Sequence, residues 1–144
     1  MDIKLKKLHS DAVIPTYAKN GDAGLDLVAV DIKQPERNKL IYDTGIALEI
    51  PEGYVGLVFP RSSIHKKDLR LSNNCGIIDS GFRQSIKVVF DIIAKTSYNC
   101  DNRYAVGDRI AQIIIIPYPN INLIEVDELS ETERGSGGFG STGN

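Results

Sequence analysis

The sequence contains few of the residues that mark a disulfide-rich or metal-binding protein. Among its 144 residues there are two cysteines, Cys75 and Cys100, two histidines and no tryptophan. The cysteines form no C-x-x-C pair, so neither a zinc site nor a disulfide framework is expected. This cysteine usage predicts a reducing compartment, either the cytoplasm or the cytoplasm of a host cell if the protein is viral.

Long apolar stretches and a large excess of one charge are also missing. No apolar run exceeds the four residues of 113–116, whereas a membrane-spanning helix needs about 20. The segment 1–8 alternates apolar and charged residues and has no signal-peptide core. The net charge of -2 argues against a nucleic-acid partner, because nucleic-acid-binding domains usually present a basic face. We therefore expect neither a membrane nor a nucleic acid as partner.

What the sequence does contain is a series of short, β-branched apolar runs bounded by Gly, Pro, Asn or Asp. Such runs predict strands, and only 61–67 looks helical. Short strands at this spacing predict a single all-β domain, a sandwich or a barrel, with one short helix. The predicted strands are 3–6, 23–30, 44–50, 54–59, 86–94, 109–117 and 121–126.

The composition changes after Ser130. Residues 130–144 contain five glycines, three serines and two threonines, a mixture that buries little apolar surface. The sequence therefore predicts a domain over 1–129 and a flexible arm over 130–144. The arm carries Arg134 and Phe139, so it is suited to closing over an anionic, aromatic ligand.

The stretch 73–82 is the centre of the sequence argument. It predicts a strand, a tight turn at Ser80-Gly81 and a returning strand at 86–90. Asp79 ends an apolar run, where a carboxylate is costly unless it faces a cleft or is hydrogen-bonded. With the ring of Phe82 three residues later, it is suited to the floor of a small-molecule site. The alternative is a surface hairpin in which Asp79 merely starts the turn.

Four further segments carry polar side chains in patterns that fit nucleotide binding. They are Asp26 within 23–27, the run Arg61-Ser62-Ser63, Gln112 in the strand that follows Gly107-Asp108-Arg109, and Arg134, Phe139 and Ser141 in the arm. Together with 73–82, in this order and at this spacing, these segments resemble the trimeric dUTPase family from about Leu5 to Gly143. Each segment alone is a weak signal, but five in order are specific.

The resemblance implies a fold, an assembly and a reaction. The family fold is a distorted antiparallel β-barrel or jelly-roll-like domain, assembled as a homotrimer in which the arm closes an active site, usually that of a neighbouring subunit. The implied reaction is hydrolysis of dUTP to dUMP and pyrophosphate. This reaction keeps uracil out of DNA and supplies dUMP for dTMP synthesis. The implied cofactor is Mg²⁺.

The resemblance also implies residue roles. Asp79 matches the general base that activates water, and Asp26 matches the acid that holds Mg²⁺ through water. The implied substrate-binding residues are Arg61, Ser62, Ser63 and Gln112 for the phosphates, Asn73, Gly76, Ile77 and Ile78 for the uracil edge, Phe82 under the sugar, Lys87 beside the substrate, and Arg134, Phe139, Gly140 and Ser141 in the arm.

Phe82 replaces a commoner Tyr, Gly81 replaces a commoner acid, and Gln84-Ser85 replaces a Gly followed by a polar or acidic residue. Ring packing under the sugar needs only an aromatic face, so Phe82 is expected to keep that role. Two alternatives stay open: a dCTP deaminase of the same fold, and a nucleotide-gated binding or signalling protein.

Overall fold

The computed structural model describes residues 1–93, 102–133 and 135–137. Within these ranges the chain forms ten strands and one short 3₁₀ helix, which spans Ser62–Lys66. The strands are β1 (Lys4–Lys7), β2 (Leu25–Val28), β3 (Asp31–Glu36), β4 (Lys39–Asp43), β5 (Ile46–Glu49), β6 (Tyr54–Pro60), β7 (Leu69–Leu71), β8 (Gly76–Ile78), β9 (Lys87–Ile92) and β10 (Arg109–Pro117).

The strands form three antiparallel sheets. Two have four strands, in the orders β2-β10-β6-β8 and β3-β4-β9-β7, and β1 pairs with β5. No sheet of the described ranges closes on itself, so the molecule is a distorted jelly-roll-like sandwich. The all-β prediction is confirmed. No helix in the described ranges has the length and apolar character needed to cross a membrane.

The core lies between the two four-stranded sheets. Side chains alternate inward and outward along each strand, so Leu40 and Tyr42 of β4 are buried while their neighbours are half-exposed. Tyr42 meets Phe90 of β9 edge to face at 5.6 Å between ring centroids. Tyr104 completes the cluster at 5.8 Å from Phe90. This packing fixes the sheets that carry the functional residues.

The predicted strand at 121–126 is wrong. No strand follows β10 in the part of the chain that the structure describes. Ile121, Leu123 and Ile124 are 70%, 87% and 76% exposed. The residue types favour a strand, but a strand also needs a neighbour to pair with and a surface to pack on. The described part of a single chain supplies no pairing strand for this segment, and its apolar side chains are left exposed.

Three strands were not predicted from the sequence. β3 and β4 form a hairpin, and β7 pairs with β9. β3 lies at the edge of its sheet and contains Pro35, and its register with β4 shifts between Lys33 and Glu36. Edge strands tolerate proline because one side needs no backbone donor. Because Pro35 and the polar residues around it do not form an apolar, β-branched run, the sequence did not predict this strand.

The central stretch is only partly as predicted. Its tight turn is present, with the Phe82 amide donating to the Asp79 carbonyl at 3.1 Å. The two strands on either side are not a paired hairpin, however. β8 pairs with β6 and β9 pairs with β4 and β7, so the turn crosses from one sheet to the other. The predicted strand over 86–94 is observed as Lys87–Ile92, and residue 94 lies outside the described residues.

A network of charged groups crosses the outer face of the second large sheet. The Asp91 carboxylate accepts hydrogen bonds from Lys39 Nζ at 2.8 Å, Ser72 Oγ at 2.9 Å and Arg70 Nη2 at 3.2 Å. Lys39 lies in β4, Arg70 in β7 and Ser72 directly after β7, so these hydrogen bonds connect all three places to β9. They favour the ionised carboxylate and hold the pKa of Asp91 at about 2, below its ordinary 3.8.

This network predicts an acid-dependent stability. Because the folded pKa of Asp91 lies below its unfolded value, the stabilisation is complete above about pH 4 and is lost as the pH falls through about 2. Asp91→Asn is therefore expected to lower the unfolding temperature at neutral pH. As the pH falls from about 4 to about 2, the unfolding temperature of this variant is expected to fall less than that of the wild type. Thermal unfolding followed by circular dichroism measures this, with the exposed Asp127→Asn as control. A decline as steep in Asp91→Asn as in the wild type would contradict it.

Candidate active site

The turn between the two sheets lines a cavity of about 440 Å³. Seven of the residues predicted to bind substrate or catalyse lie on its wall. These are Asn73, Gly76, Ile77, Ile78, Asp79, Phe82 and Lys87. Val58 and Leu71 form part of its apolar lining, and Gln84 and Ser85 add polar groups. An apolar pocket with a few convergent polar groups is the usual form of a small-molecule site.

Asp79 stands at the edge of this cavity, directly after β8. Its side chain is exposed, which removes the cost of placing a carboxylate beside an apolar strand. The same turn brings the ring of Phe82, which is 37% exposed, onto the cavity wall. A carboxylate and an aromatic face are thus held by one short turn, as the sequence predicted.

β8 is the last strand of its sheet. Its backbone pairs with β6 through Gly76, Ile77 and Ile78, so its other edge faces no further strand of the described ranges. A Cβ on Gly76 would lie 3.2 Å from Val58 Cβ, and glycine here lets the strands approach closely. An unpaired strand edge presents alternating N–H and C=O groups. At this cavity, those groups can hydrogen-bond the edge of a planar ligand.

The turn before β8 places Asn73 on the cavity wall. Its neighbour Asn74 has φ 58°, in the left-handed region that asparagine tolerates better than most residues. The Asn74 amide donates to the Leu71 carbonyl at 3.2 Å. This turn fixes where β8 begins.

A second group of predicted residues surrounds Asp26. Arg61 Nε donates to Asp26 Oδ1 at 2.8 Å, and Arg109 Nη1 donates to Asp26 Oδ2 at 2.9 Å. Two guanidiniums and one carboxylate leave a net charge of +1. The side chains of Asp26 and Arg61 are 14% and 26% exposed, so this charge is only partly screened by water. The arrangement suits an anionic group such as a phosphate.

Gln112 connects the strands of this second group. Its Nε2 donates to the Pro60 carbonyl at 3.1 Å, at the end of β6 and next to Arg61. Gln112 also lies opposite Asp26 in the β10–β2 ladder. A Cβ on Gly24 would come within 2.4 Å of Gln112 Oε1, so a larger residue there would require the Gln112 side chain to move. Gln112 thus links β10 to the end of β6, beside the Asp26–Arg61 ion pair.

Ser62 and Ser63 begin the 3₁₀ helix immediately after Arg61. The predicted helix is therefore present, in the tighter 3₁₀ form. Burial raises the pKa of the Tyr104 phenol in the core, and Ile64 of the helix packs against the same core. The two serines thus lie on a short turn that packs on the hydrophobic core.

The donor set at Asp26 determines how a metal could bind. Within the described ranges, no three His, Cys, Asp or Glu side chains gather closely enough to hold a metal ion. Asp26 already receives two hydrogen bonds, but a carboxylate has about four lone-pair sites. One carboxylate with spare lone pairs fits a Mg²⁺ ion that keeps most of its water, not an all-protein cage.

Sequence reasoning missed two residues near these groups. Arg109 lies three residues before Gln112 in the sequence, but only the structure shows its contact with Asp26. Ser85 was noted as a departure from the family pattern, and the structure places it on the cavity wall. Five of the predicted residues that the structure describes are not part of that wall: Asp26, Arg61, Ser62, Ser63 and Gln112. Arg134, Phe139, Gly140 and Ser141 lie outside the described residues.

Comparison with known proteins agrees with this geometry. Residues 10–143 match the dUTPase family. This chain is a member of the dUTPase family. It is 41% identical to the deoxyuridine 5'-triphosphate nucleotidohydrolase of Hydrogenobaculum sp., over 99% of both chains. It is also 41% identical to the enzyme of that name from Clostridioides difficile, over 99% of this chain and 98% of the other.

A solved dUTPase structure shares the fold. The Staphylococcus bacteriophage 80alpha dUTPase with dUpNHpp superposes with a TM-score of 0.85, at 28% identity and over 99% of each chain. The jelly-roll-like architecture and the predicted family are thus confirmed together. Phage dUTPases of this group are described as controlling the transfer of virulence genes by a proto-oncogenic G protein-like mechanism.

Proposed function

We propose that this dUTPase hydrolyses dUTP to dUMP and pyrophosphate. The observation that carries the proposal is the exposed carboxylate of Asp79 at the mouth of a cavity that the open edge of β8 and the ring of Phe82 also line. The relatives that match nearly the whole chain are named for this reaction. We propose the cytoplasm as its place of action.

Uracil is recognised by backbone groups in this proposal. The open edge of β8 at Gly76, Ile77 and Ile78, with Asn73 beside it, offers donors and acceptors in a fixed order. Cytosine has the reverse donor and acceptor at the corresponding positions, so it would leave buried groups unpaired. Sites built on such hydrogen bonds discriminate strongly against the mismatched analogue.

The sugar and phosphates extend from the base. Phe82 supports the deoxyribose, with Lys87 on the same wall. Arg61, Ser62, Ser63 and Gln112 hold the phosphates, helped by the net positive charge around Asp26. Asp26 would hold Mg²⁺ through water, and the ion would supply positive charge that neutralises the phosphates.

Asp79 provides the base. Its carboxylate hydrogen-bonds a water molecule and takes up a proton as the water oxygen bonds to the α-phosphorus. The bond from the α-phosphorus to the bridging oxygen breaks, and the electron pair leaves with pyrophosphate. The firm placement of Asp79 by the 79–82 turn aligns the water for in-line attack.

The proposed assembly is a homotrimer with active sites shared between subunits. The chain exposes 10,634 Å², whereas a compact monomer of this mass exposes about 7,300 Å². Apolar side chains at Ile121, Leu123, Ile124 and Leu129 contribute to the excess. In an assembly with shared sites, the group around Asp26 would lie beside the cavity of a neighbouring subunit. This accounts for the separation of Asp26 and Arg61 from the cavity wall within one chain. The arm, residues 130–144, is proposed to close such a shared site.

A substrate panel tests the function. With Mg²⁺ present, release of pyrophosphate from dUTP is expected to exceed that from dCTP by about 1,000-fold or more, as for sites that read a hydrogen-bonding pattern. dTTP has the same hydrogen-bonding edge as dUTP and differs by the C5 methyl group, so it measures how closely the site encloses the base. UTP is included to measure how well Phe82 excludes the 2′-hydroxyl. Ammonia released from dCTP without pyrophosphate would instead establish a deaminase.

Signalling is a second candidate function. It is favoured by the 28% identity to the phage 80alpha dUTPase, whose group is described as controlling gene transfer. A protein partner whose binding to this chain changes when dUpNHpp is added would establish it.

A further inference from the structure

Asp43 is an acidic residue at the end of β4 that does not line the cavity but touches two residues that do. Its Oδ1 accepts a hydrogen bond from Ser85 Oγ and another from the Gly45 amide, the latter at 2.9 Å. Its Oδ2 lies 3.8 Å from Lys87 Nζ. Both Ser85 and Lys87 are part of the cavity wall. Asp43 therefore contacts the site from behind.

The backbone around Ser85 is held independently of Asp43. The buried Thr44 donates through Oγ1 to the Ile86 carbonyl at 2.8 Å, and the Ile86 amide donates to the Ile46 carbonyl at 2.9 Å. Lys87 lies opposite Asp43 in the β4–β9 ladder. The position of Ser85 is thus fixed by the strands, and Asp43 determines only the direction of its hydroxyl.

The direction of the hydroxyl has a chemical consequence. A serine hydroxyl has one proton and two lone pairs. Because a carboxylate only accepts, the Ser85 proton points to Asp43, and Ser85 can offer only lone pairs to the cavity. A group that binds there must donate a hydrogen bond. On the wall that continues from Phe82, where the proposed function places the sugar, the hydrogen-bond donor of the deoxyribose is its 3′-hydroxyl.

We propose that Asp43 is a positioning residue for substrate recognition, which fixes Ser85 as the acceptor of the sugar 3′-hydroxyl. The proposal rests on the proposed function for the identity of the nucleotide. It gives Ser85 a role in substrate recognition that depends on a carboxylate of the neighbouring strand β4.

The test compares dUTP with 2′,3′-dideoxyuridine triphosphate, which lacks the 3′-hydroxyl. Ser85→Ala is expected to lower kcat/KM for dUTP about five- to tenfold, as for loss of one hydrogen bond, mainly through KM, and to leave the dideoxy compound unchanged. Asp43→Ala is expected to reproduce most of this loss. Asp43→Asn keeps an acceptor for Ser85 and for the Gly45 amide, so it is expected to restore the preference for dUTP.

Asp31→Asn is the matched control, because Asp31 faces Asp43 across the β3–β4 ladder but does not line the cavity. It is expected to behave as the wild type. Unfolding temperatures of all variants separate recognition from stability. If Asp43→Ala and Asp43→Asn impair both nucleotides equally, or Ser85→Ala leaves the preference intact, the proposal is wrong. A wild-type protein that binds dUTP without hydrolysing it would refute only the proposed function. In that case, the dissociation constants of both nucleotides for each variant test the role of Asp43 in the same way.

Discussion

Asp79→Asn is expected to lower kcat for dUTP by about 1,000-fold, within the range for loss of a general base. The amide is nearly the same size as the carboxylate but cannot take up a proton from water. Asp79 is exposed, and its backbone carbonyl, not its side chain, closes the turn to Phe82. The fold and the cavity should therefore be unchanged.

Two measurements make this prediction specific. Steady-state release of pyrophosphate gives kcat, and binding of dUpNHpp to the variant should stay within a few-fold of the wild type. Ser80→Ala changes the adjacent side chain of the same turn and should retain most activity. An Asp79→Asn variant with near-normal turnover would show that another group activates the water.

Leu123→Asp is expected to prevent assembly and, with it, reduce activity by about 100-fold or more. Leu123 is 87% exposed in the single chain, and a substitution at such a site normally changes stability by only about 0.5 kcal/mol. A large effect can therefore come only from another copy of the chain that covers this side chain. A carboxylate buried there without a partner is strongly unfavourable.

Light scattering measures the assembly directly. Three copies of the 15.8 kDa chain have a mass of 47.4 kDa, and the variant should approach the mass of one chain. Asn122→Asp introduces the same charge one residue earlier, at a polar position of the segment, and serves as control. A Leu123→Asp protein that remains fully active as a trimer would exclude this segment from the interface.

β6 and β10 were predicted correctly and pair with each other along Tyr54–Pro60 and Arg109–Pro117, and their apolar residues are conspicuous in the sequence. The segment 121–126 has the same character but pairs with no strand of the described residues. Local composition reports the tendency to form a strand, while the pairing depends on what else is near.

The proposed catalytic groups could be named from the sequence, whereas their contacts could not. Asp79, Phe82 and Asp26 follow from motifs that occupy a few consecutive residues. The Asp43–Ser85 contact joins residues 42 positions apart, and the Asp26–Arg109 contact joins residues 83 positions apart. Such contacts depend on sheet order and register. The sheet order also shows why 73–90 is not a paired hairpin, since the turn at Asp79 joins two different sheets.

The pairing of Asp26 with Arg61 and Arg109 bears on how tightly the proposed site would hold a triphosphate. Two long side chains normally lose conformational freedom when they close on a ligand, at a cost of about 0.5–1.5 kcal/mol each. Here both guanidiniums are oriented by one carboxylate within the chain itself. Their ordering takes place during folding, so the proposed phosphate site would be preorganised and more of its electrostatic attraction would be available as affinity.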